Sequence, residues 1–297
     1  MSRPPSRPRP HVLASSLRRF EQVDAVATPV GRLVRERVPA GSLKDWLSGT
    51  WLGHALHPVL TDIPIGTWTS ATLLDLLGGR AGRPAARRLI GIGITAAVPT
   101  ALTGATEWAD TETADDEVRR VGAVHAATNV AALGLYSASL GARRRGRPGL
   151  GAMFGLAGLG ALVVGGHLGG HLSYAKAVGV ARTAWSEVVE EWTDACAEAD
   201  VAEGGMTHAE VAGMDVVVAR RDGQLFALVD RCSHRGGDLH AGQLVDGCVQ
   251  CPLHGSRFRL EDGSVERGPS AYPQPVFDVR VRDGRVEVRT PEWALQP

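Results

Sequence analysis

Long apolar stretches alternate with short charged segments through the first half of the chain. The stretches cover residues 51–77, 89–108, 121–142 and 149–175, and the last two contain no Asp, Glu, Lys or Arg. A bilayer core of roughly 30 Å requires about 20 apolar residues per helix, so each stretch is long enough to span a membrane. The last three are rich in glycine and alanine, as closely packed membrane helices are. Four buried helices of a soluble bundle are the alternative, but such helices normally carry a charged face.

The chain from about residue 205 to residue 290 has a different pattern, in which apolar side chains alternate with polar ones between tight turns. Two Asp-Gly pairs, Asp222-Gly223 and Asp283-Gly284, each stand between two alternating runs. An Asp-Gly pair in this setting is a strong signal for a β-hairpin. The pattern therefore predicts a small all-β domain.

Together these patterns predict a multi-domain protein, with an α-helical transmembrane four-helix bundle at residues 46–178 and the small all-β domain at residues 205–290. A polar, Arg/Pro-rich leader at residues 1–45 precedes the helices, and its tract at residues 2–10 is typical of a disordered chain. Residues 179–204 form an acidic connector with helix-forming character.

The charged segments between the apolar stretches suggest an orientation. Arg80, Arg83, Arg87 and Arg88 are expected to connect the first two helices, and Arg143, Arg144, Arg145 and Arg147 the last two. The positive-inside rule would place these connections in the cytoplasm and both termini outside. The leader is also rich in arginine, so the charge pattern does not decide the side by itself.

Overall composition excludes some classes of protein. Lys plus Arg equals Asp plus Glu, 32 each, so the net charge gives no reason to expect a nucleic-acid partner. Four cysteines in 297 residues are too few for a disulfide-stabilised secreted domain. No signal peptide is recognisable at the start, because Arg18-Arg19 is followed by Glu21 and Asp24 instead of an apolar run.

Candidate metal ligands lie between the two predicted hairpins. Cys232-Ser-His234 is followed, after sixteen residues, by Cys251-Pro-Leu-His254. Two thiolates and two imidazoles in two short loops form a strong metal-binding signal. Tetrahedral zinc is one alternative, but zinc ligands usually occur as a Cys pair followed by a His pair, whereas Cys and His alternate here.

The two motifs, Cys232-Ser-His234-Arg-Gly236-Gly237 and Cys251-Pro252-Leu253-His254-Gly255-Ser256, resemble the cluster-binding loops of Rieske [2Fe–2S] proteins. The resemblance covers roughly residues 205–289. It implies that Cys232 and Cys251 bind one iron of the cluster, and that His234 and His254 bind the other.

The resemblance also implies roles for residues around the cluster. Gly268-Pro269 resembles the proline loop that covers the cluster in this family. Ser256 resembles the serine whose hydroxyl donates to a bridging sulfide, and such donors raise the reduction potential. Because Phe258 lacks the hydroxyl of the corresponding respiratory tyrosine, we expect a potential between those of the respiratory and ferredoxin types.

Two departures from the respiratory pattern bear on function. Gly237 and Leu253 stand where respiratory Rieske proteins carry additional, disulfide-bonded cysteines, so the domain is more similar to ferredoxins found with oxygenases and nitrite reductases. Rieske oxygenases continue into a large domain with a 2-His-1-carboxylate iron, which does not follow the β-domain here. We therefore expect a membrane-anchored one-electron carrier and not an enzyme with its own substrate. A membrane-tethered ferredoxin component of an oxygenase or reductase system, and a cluster-based redox sensor, are the alternatives.

Histidines near the ends of the apolar stretches form a second group of candidates. His54 and His57 are expected to open the first helix, and His125, His167 and His171 lie towards the same membrane face. Ionisable groups inside a membrane are costly and often functional. His57, His125, His167 and His171 are therefore candidate ligands of haem b or a metal, with a quinone pocket or hydrogen bonds between helices as alternatives.

The helical half also resembles a known family. The residues that carry this resemblance are His57-Pro58, Pro64-Ile65-Gly66 and Gly165-Gly166-His167, which are similar to a bacterial four-helix membrane domain of unknown function, DUF2231. We expect a multi-pass protein of the inner membrane, in contact with lipid, whose partner is a redox protein or quinone. The absence of a recognisable export signal and of a disulfide favours the cytoplasmic side for the β-domain, against the loop charges.

Overall fold

The computed structural model describes residues 14–294, so the tract at residues 2–10 lies outside the described residues. The chain divides into two compact units. The first contains the chain up to Val38 and Leu56–Val178, and the second contains Pro39–Ala55 and the chain from Gly179 onward. Residues 39–55 thus belong with the β-domain, whereas the sequence-based boundaries divide them between the leader and the helical region.

Six α-helices with both ends inside residues 14–294 precede the β-domain. They are α1 (Asp24–Arg37), α2 (Ser42–Ser48), α3 (Leu56–Leu77), α4 (Gly79–Ala109), α5 (Asp116–Arg144) and α6 (Pro148–Gly170), and a π-turn at His171–Ala175 follows α6. Helix α2 lies in the second unit and the other five lie in the first. The four long helices α3 to α6 correspond to the four apolar stretches.

One apolar core receives side chains from all four long helices. Trp68 of α3 stacks on Tyr136 of α5 with ring centroids 4.4 Å apart, and Ile90 of α4 and Leu162 of α6 are buried beside them. Small residues make this packing possible, since a Cβ on Gly158 would lie 2.8 Å from the Tyr136 ring. Close helix approach through glycine explains why these stretches are so rich in that residue.

Two of the expected arginine connections are largely helical. Arg80, Arg83, Arg87 and Arg88 lie inside α4, which begins at Gly79, so only Gly78 separates α3 from α4. Arginine is a good helix former, and its charge alone does not end a helix. Arg143 lies in the last turn of α5, where its Nη1 donates to Asp75 Oδ1 of α3 at 2.8 Å.

The first turn of α5 anchors the segment that precedes the long helices. Asp115 caps this helix by accepting the N–H groups of Glu117 and Val118 at 2.7 and 3.2 Å. Arg119 and Arg120 then reach back to the carboxylate of Asp24 in α1. The polar leader therefore contains a helix held by ion pairs to the start of α5.

Length and composition allow two helices of the described region, Gly79–Ala109 and Pro148–Ala175, to cross a membrane. The structure has four long helices where the sequence predicts them.

The second unit is an antiparallel β-structure of ten strands in the described residues. They are β1 (Thr193–Ala197), β2 (Met206–Val211), β3 (Met214–Arg221), β4 (Gln224–Val229), β5 (Gln243–Val245), β6 (Cys248–Gln250), β7 (Arg257–Arg259), β8 (Val265–Arg267), β9 (Val276–Arg282) and β10 (Arg285–Arg289). One sheet has the order β1-β10-β9-β4-β3-β2, and a smaller sheet has the order β5-β6-β7-β8.

Both predicted hairpins are present, and the predicted connector contains a strand. Asp222 and Asp283 adopt positive φ angles of 51°, each followed by a glycine at positive φ, as the tight Asp-Gly turn requires. Within residues 179–204, β1 pairs with β10 instead of forming the expected helix. The backbone hydrogen bonds that β10 offers at its edge stabilise a strand here more than local helix propensity stabilises a helix.

Candidate metal centre

Two loops of the same construction carry the four candidate ligands. The Cys232 N–H donates to Gly237 O at 2.8 Å, and the Gly236 N–H donates back to Cys232 O at 2.8 Å. In the second loop the Cys251 N–H donates to Ser256 O at 2.8 Å, and the Gly255 N–H donates back to Cys251 O at 3.1 Å. Gly236 and Gly255 both have positive φ angles, 71° and 76°, which glycine adopts readily.

This shared turn aims backbone N–H groups at each sulfur. His234 and Arg235 present their N–H groups to Cys232, and Leu253 and His254 present theirs to Cys251. The two thiols also contact each other. The hydrogen bond from Cys232, with the two backbone donors, lowers the pKa of Cys251 to about 7. The same contact and burial raise the pKa of Cys232. The site therefore favours thiolate at Cys251, the form that ligates metal.

The two histidines form a second pair beside the thiols. Their ring centroids lie 5.0 Å apart with the rings nearly perpendicular, at 86°. The Nδ1 atom of His234 is buried and has no hydrogen-bond partner among the described residues. Burial lowers the pKa of His234 well below its ordinary value, and the charge of Arg235 adds to this effect. A neutral imidazole with an unused buried nitrogen is suited to bind a metal.

The donors fit a two-iron group better than a single ion. Within residues 14–294, no three His, Cys, Asp or Glu side chains come together as the ligands of one ion. The four donors instead form a sulfur pair and a nitrogen pair. A tetrahedral zinc site needs four donors around one centre, whereas a [2Fe–2S] group takes two at each iron.

A third loop, which begins with the cis bond Gly268–Pro269, closes over the two ligand loops. The Ser270 N–H donates to the hydroxyl oxygen of Ser256 at 3.0 Å, which leaves the Ser256 O–H free to donate elsewhere. The Ser233 hydroxyl lies 2.9 Å from the Ser270 hydroxyl and donates to Tyr272 O at 2.9 Å. This hydrogen bond brings Ser256 next to the loop that contains Gly268 and Pro269, and their role around a cluster stays a prediction.

Two polar side chains outside the ligand motifs hold the ligand loops, and neither is predicted from the sequence. Gln274 is buried, its amide donates to Val229 O and Arg231 O, and its carbonyl accepts the Ser233 N–H at 3.0 Å. Arg267 donates to Gly255 O at 2.8 Å. Gln274 stands between two prolines, which is the only local signal that its backbone is fixed.

The other two cysteines, Cys196 and Cys248, are not part of either ligand motif. Cys196 in β1 and Cys248 in β6 are buried and free, and burial raises the pKa of each thiol.

The histidines predicted in the helices lie in two different units of the structure. His54 precedes α3 and lies in the second unit, where its ring meets Tyr272 edge-on at 6.0 Å, so it does not open the first helix. His57 Nδ1 lies 2.9 Å from Thr100 O, and His125 Nδ1 lies 2.8 Å from Gly165 O. His171 Nε2 lies 3.3 Å from Glu117. His167 is in the last turn of α6. These contacts agree with the alternative of hydrogen bonds between helices, and haem binding has no support in them.

Comparison with known proteins gives two family matches. Residues 191–278 match the Rieske [2Fe-2S] domain, and residues 53–182 match a family described as a predicted membrane protein, DUF2231. The chain belongs to the Rieske family through its C-terminal part, joined to a DUF2231 region.

Individual relatives match the β-domain. The anthranilate 1,2-dioxygenase ferredoxin subunit of Burkholderia cepacia is 41% identical over 27% of this chain and 75% of its own length. The 3-phenylpropionate/cinnamic acid dioxygenase ferredoxin subunit of Photorhabdus laumondii is 33% identical over 33% of this chain and 92% of its own length. The ferredoxin of carbazole 1,9a-dioxygenase from Nocardioides aromaticivorans is 25% identical, with a TM-score of 0.33, over 34% of this chain and 100% of its own.

The family defines the cofactor and the general function. The chain is an electron carrier whose cofactor is a [2Fe–2S] cluster, and its DUF2231 region indicates attachment to a membrane.

Proposed function

We propose that Cys232 and Cys251 hold one iron of a Rieske cluster, that His234 and His254 hold the other, and that the chain passes single electrons at a membrane. The observation that carries this proposal is the pair of matching loops, which gather two sulfurs and two imidazoles. When bound, the cluster accepts and returns one electron.

Residues of the chain prepare the site for this chemistry. The N–H groups of Leu253 and His254 stabilise thiolate at Cys251, and burial keeps His234 neutral. Pro269, Ser270 and Ala271 are buried and exclude water from one side. A fixed, dry site reduces the reorganisation that accompanies each electron transfer.

The helical region serves, in this proposal, as a multi-pass anchor in the inner membrane. Helices α4 and α6 have the length and composition of membrane spans. Helices α3 and α5 share one core with them, so we propose that all four cross together, in contact with lipid. The β-domain would then lie on the side of the acidic α4–α5 connection, which we assign to the cytoplasm.

The partner is, in this proposal, a redox protein or a membrane quinone. Similarity to dioxygenase ferredoxin subunits favours a second candidate function, as the tethered ferredoxin component of an oxygenase system. Co-purification with an oxygenase or a flavin reductase would favour the ferredoxin role. Reduction by quinol without added protein would favour the quinone.

The direct test is a reduced-minus-oxidised optical spectrum, with electron paramagnetic resonance, of the full chain in detergent. We expect the broad bleach of an iron–sulfur cluster, lost in His254→Ala and retained in the buried-cysteine control Cys196→Ser. Retention of the signal in His254→Ala and in Cys251→Ser would contradict the ligand assignment. Sharp haem bands would instead assign the helix histidines to a second redox centre.

A further inference from the structure

A short segment before the long helices packs on the loops that surround the candidate ligands. The segment consists of residues 40–54 and includes α2, and it lies in the same compact unit as the β-domain. We call it the N-terminal strap. The sequence pattern alone gives it no role, because it assigns these residues to a leader and to the start of the helical region.

The strap contacts the proline loop through two polar side chains. Thr50 Oγ1 donates to Ser270 O at 3.1 Å. Asp45 and Thr50 approach Gly268 so closely that a Cβ there would lie 2.8 Å from Asp45 Oδ1 and 2.4 Å from Thr50 Oγ1. A side chain at position 268 would therefore require Asp45 and Thr50 to move.

The strap also extends to both ligand loops and beyond the proline loop. The Cβ of Ala40 lies 3.9 Å from where a Cβ on Gly255 would stand. Lys44 is only 6% exposed, and its charge acts on His234. At the other end His54 meets the ring of Tyr272. One segment thus contacts or faces all three loops.

The Asp45 carboxylate is an unusual group for such a contact. Its Oδ1 atom is buried without a hydrogen-bond partner among the described residues. Burial raises the pKa of Asp45, against the opposing effects of the Gly268 backbone N–H and the charges of Arg267 and Lys44. A half-buried carboxylate with one unsatisfied oxygen costs stability, so its place beside Gly268 suggests a role beyond folding.

We propose that the strap is a wall of the cluster site, with Asp45 and Thr50 as positioning residues that hold the proline loop closed over the cluster. The inference rests on the proposed function for the identity of the group covered. The strap then ties cluster protection to the chain that leads into the membrane region, which a free ferredoxin domain could not do.

The test uses the full chain in detergent and compares wild type with Thr50→Val, Thr50→Ser and the pair Asp45→Ala and Asp45→Asn. Thr50→Val loses the hydrogen bond to Ser270 O, which should accelerate backbone hydrogen exchange at residues 268–272 by about fivefold and iron release to a chelator by a similar factor. Thr50→Ser keeps the hydroxyl, so both of its rates should stay near those of wild type. Asp45→Asn keeps an oxygen beside Gly268, so both of its rates should be closer to wild type than those of Asp45→Ala. Thr207→Val, whose hydroxyl donates to Asp200 O in an exposed part of the sheet, is the matched control.

The outcomes separate this inference from the proposed function. If wild type and Thr50→Val exchange residues 268–272 and release iron at equal rates, the strap is not a wall of the site. If wild type binds no iron, the proposed function fails, while hydrogen exchange still reports whether the strap closes the loop. A lower unfolding temperature in Thr50→Val, with faster exchange throughout the β-domain, would assign Thr50 to general stability and overturn its positioning role.

Discussion

At the residue scale, the first ligand loop depends on Gln274, a side chain that lies outside both ligand motifs. Cys232, His234, Cys251 and His254 stand in two short motifs whose spacing is visible in the chain. Gln274 is distant from both motifs, and its contact with Ser233 exists only after the sheet has formed. A residue that bonds to backbone groups across the fold leaves no local pattern.

Gln274→Leu tests the importance of this positioning. Leucine is similar in size to glutamine, but it leaves the Ser233 N–H and two backbone carbonyls without their partner. Each buried polar group without a partner costs about 1–3 kcal/mol, so we expect weak or absent cluster loading. The number of iron atoms per purified chain measures the cluster loading. The exposed variant Gln224→Leu is the control, and equal loading in both variants would contradict the assigned role.

Ser256→Ala tests the hydroxyl beside the ligands. The Ser256 oxygen already accepts from the Ser270 N–H, so its proton is available for the cluster. Removing a donor disfavours the reduced, more negative state, and we therefore expect a lower midpoint potential in a redox titration. Ser264→Ala, in the turn between β7 and β8, should leave the potential unchanged. An unchanged or higher potential in Ser256→Ala would show that this hydroxyl does not donate to the cluster.

At the element scale, the sequence predicts the long helices and the hairpins but not all of their ends. Asp-Gly turns fix the hairpins locally, and apolar length fixes the helices. The sequence predicts the arginines at the start of α4 in a connection, because they lie between two apolar stretches. Arginine is a good helix former, and in the structure these residues are helical. Strand β1 was missed because its partner β10 lies far along the chain.

The buried ion pair between α3 and α5 provides a test of helix packing. The side chains of Asp75 and Arg143 are only 6% and 4% exposed. Removing one partner leaves a buried charge, so Asp75→Asn should destabilise the helical unit by about 3–5 kcal/mol. The exposed Asp62→Asn is the control. In thermal unfolding in detergent, Asp75→Asn combined with Arg143→Met should recover part of the loss, and full additivity of the two would contradict their coupling.

The contact between α1 and α5 predicts a pH dependence. Hydrogen bonds from Arg120 and Arg119 lower the pKa of Asp24 far below its ordinary value. A lowered carboxyl pKa stabilises the fold above the ordinary pKa of about 3.9, and that contribution is lost as the pH falls towards the folded value. Asp24→Asn should therefore lower the unfolding temperature at pH 7, with a difference that narrows below about pH 4. Glu21→Gln is the control, and a pH-independent difference would contradict this linkage.

At the scale of the whole molecule, the sequence predicts two kinds of structure but divides the chain between them imperfectly. Residues 39–55 precede the long helices in the chain and yet belong to the β-domain unit. A change in composition shows where the pattern of apolar and polar residues changes along the chain. It does not show which segments pack together in the fold. Because the segments on both sides of the helices belong to the β-domain unit, we expect the chain to cross a membrane an even number of times.

The number of membrane crossings can be tested with tags inserted in two connections of the helical region. If all four long helices cross, a tag at Thr113, between α4 and α5, lies on the same side as the β-domain, and a tag at Gly146, between α5 and α6, lies on the opposite side. If only the two most apolar helices, α4 and α6, cross, both tags lie opposite the β-domain. Thr113 is exposed and Gly146 lies in the turn after α5, so each insertion should be tolerated. Protease access to the tags in sealed vesicles, compared with a tag after Pro297, measures their sides. We expect the tags at Thr113 and Pro297 to behave alike and the tag at Gly146 to differ, because the shared core of α3 to α6 would otherwise have to form partly outside the bilayer.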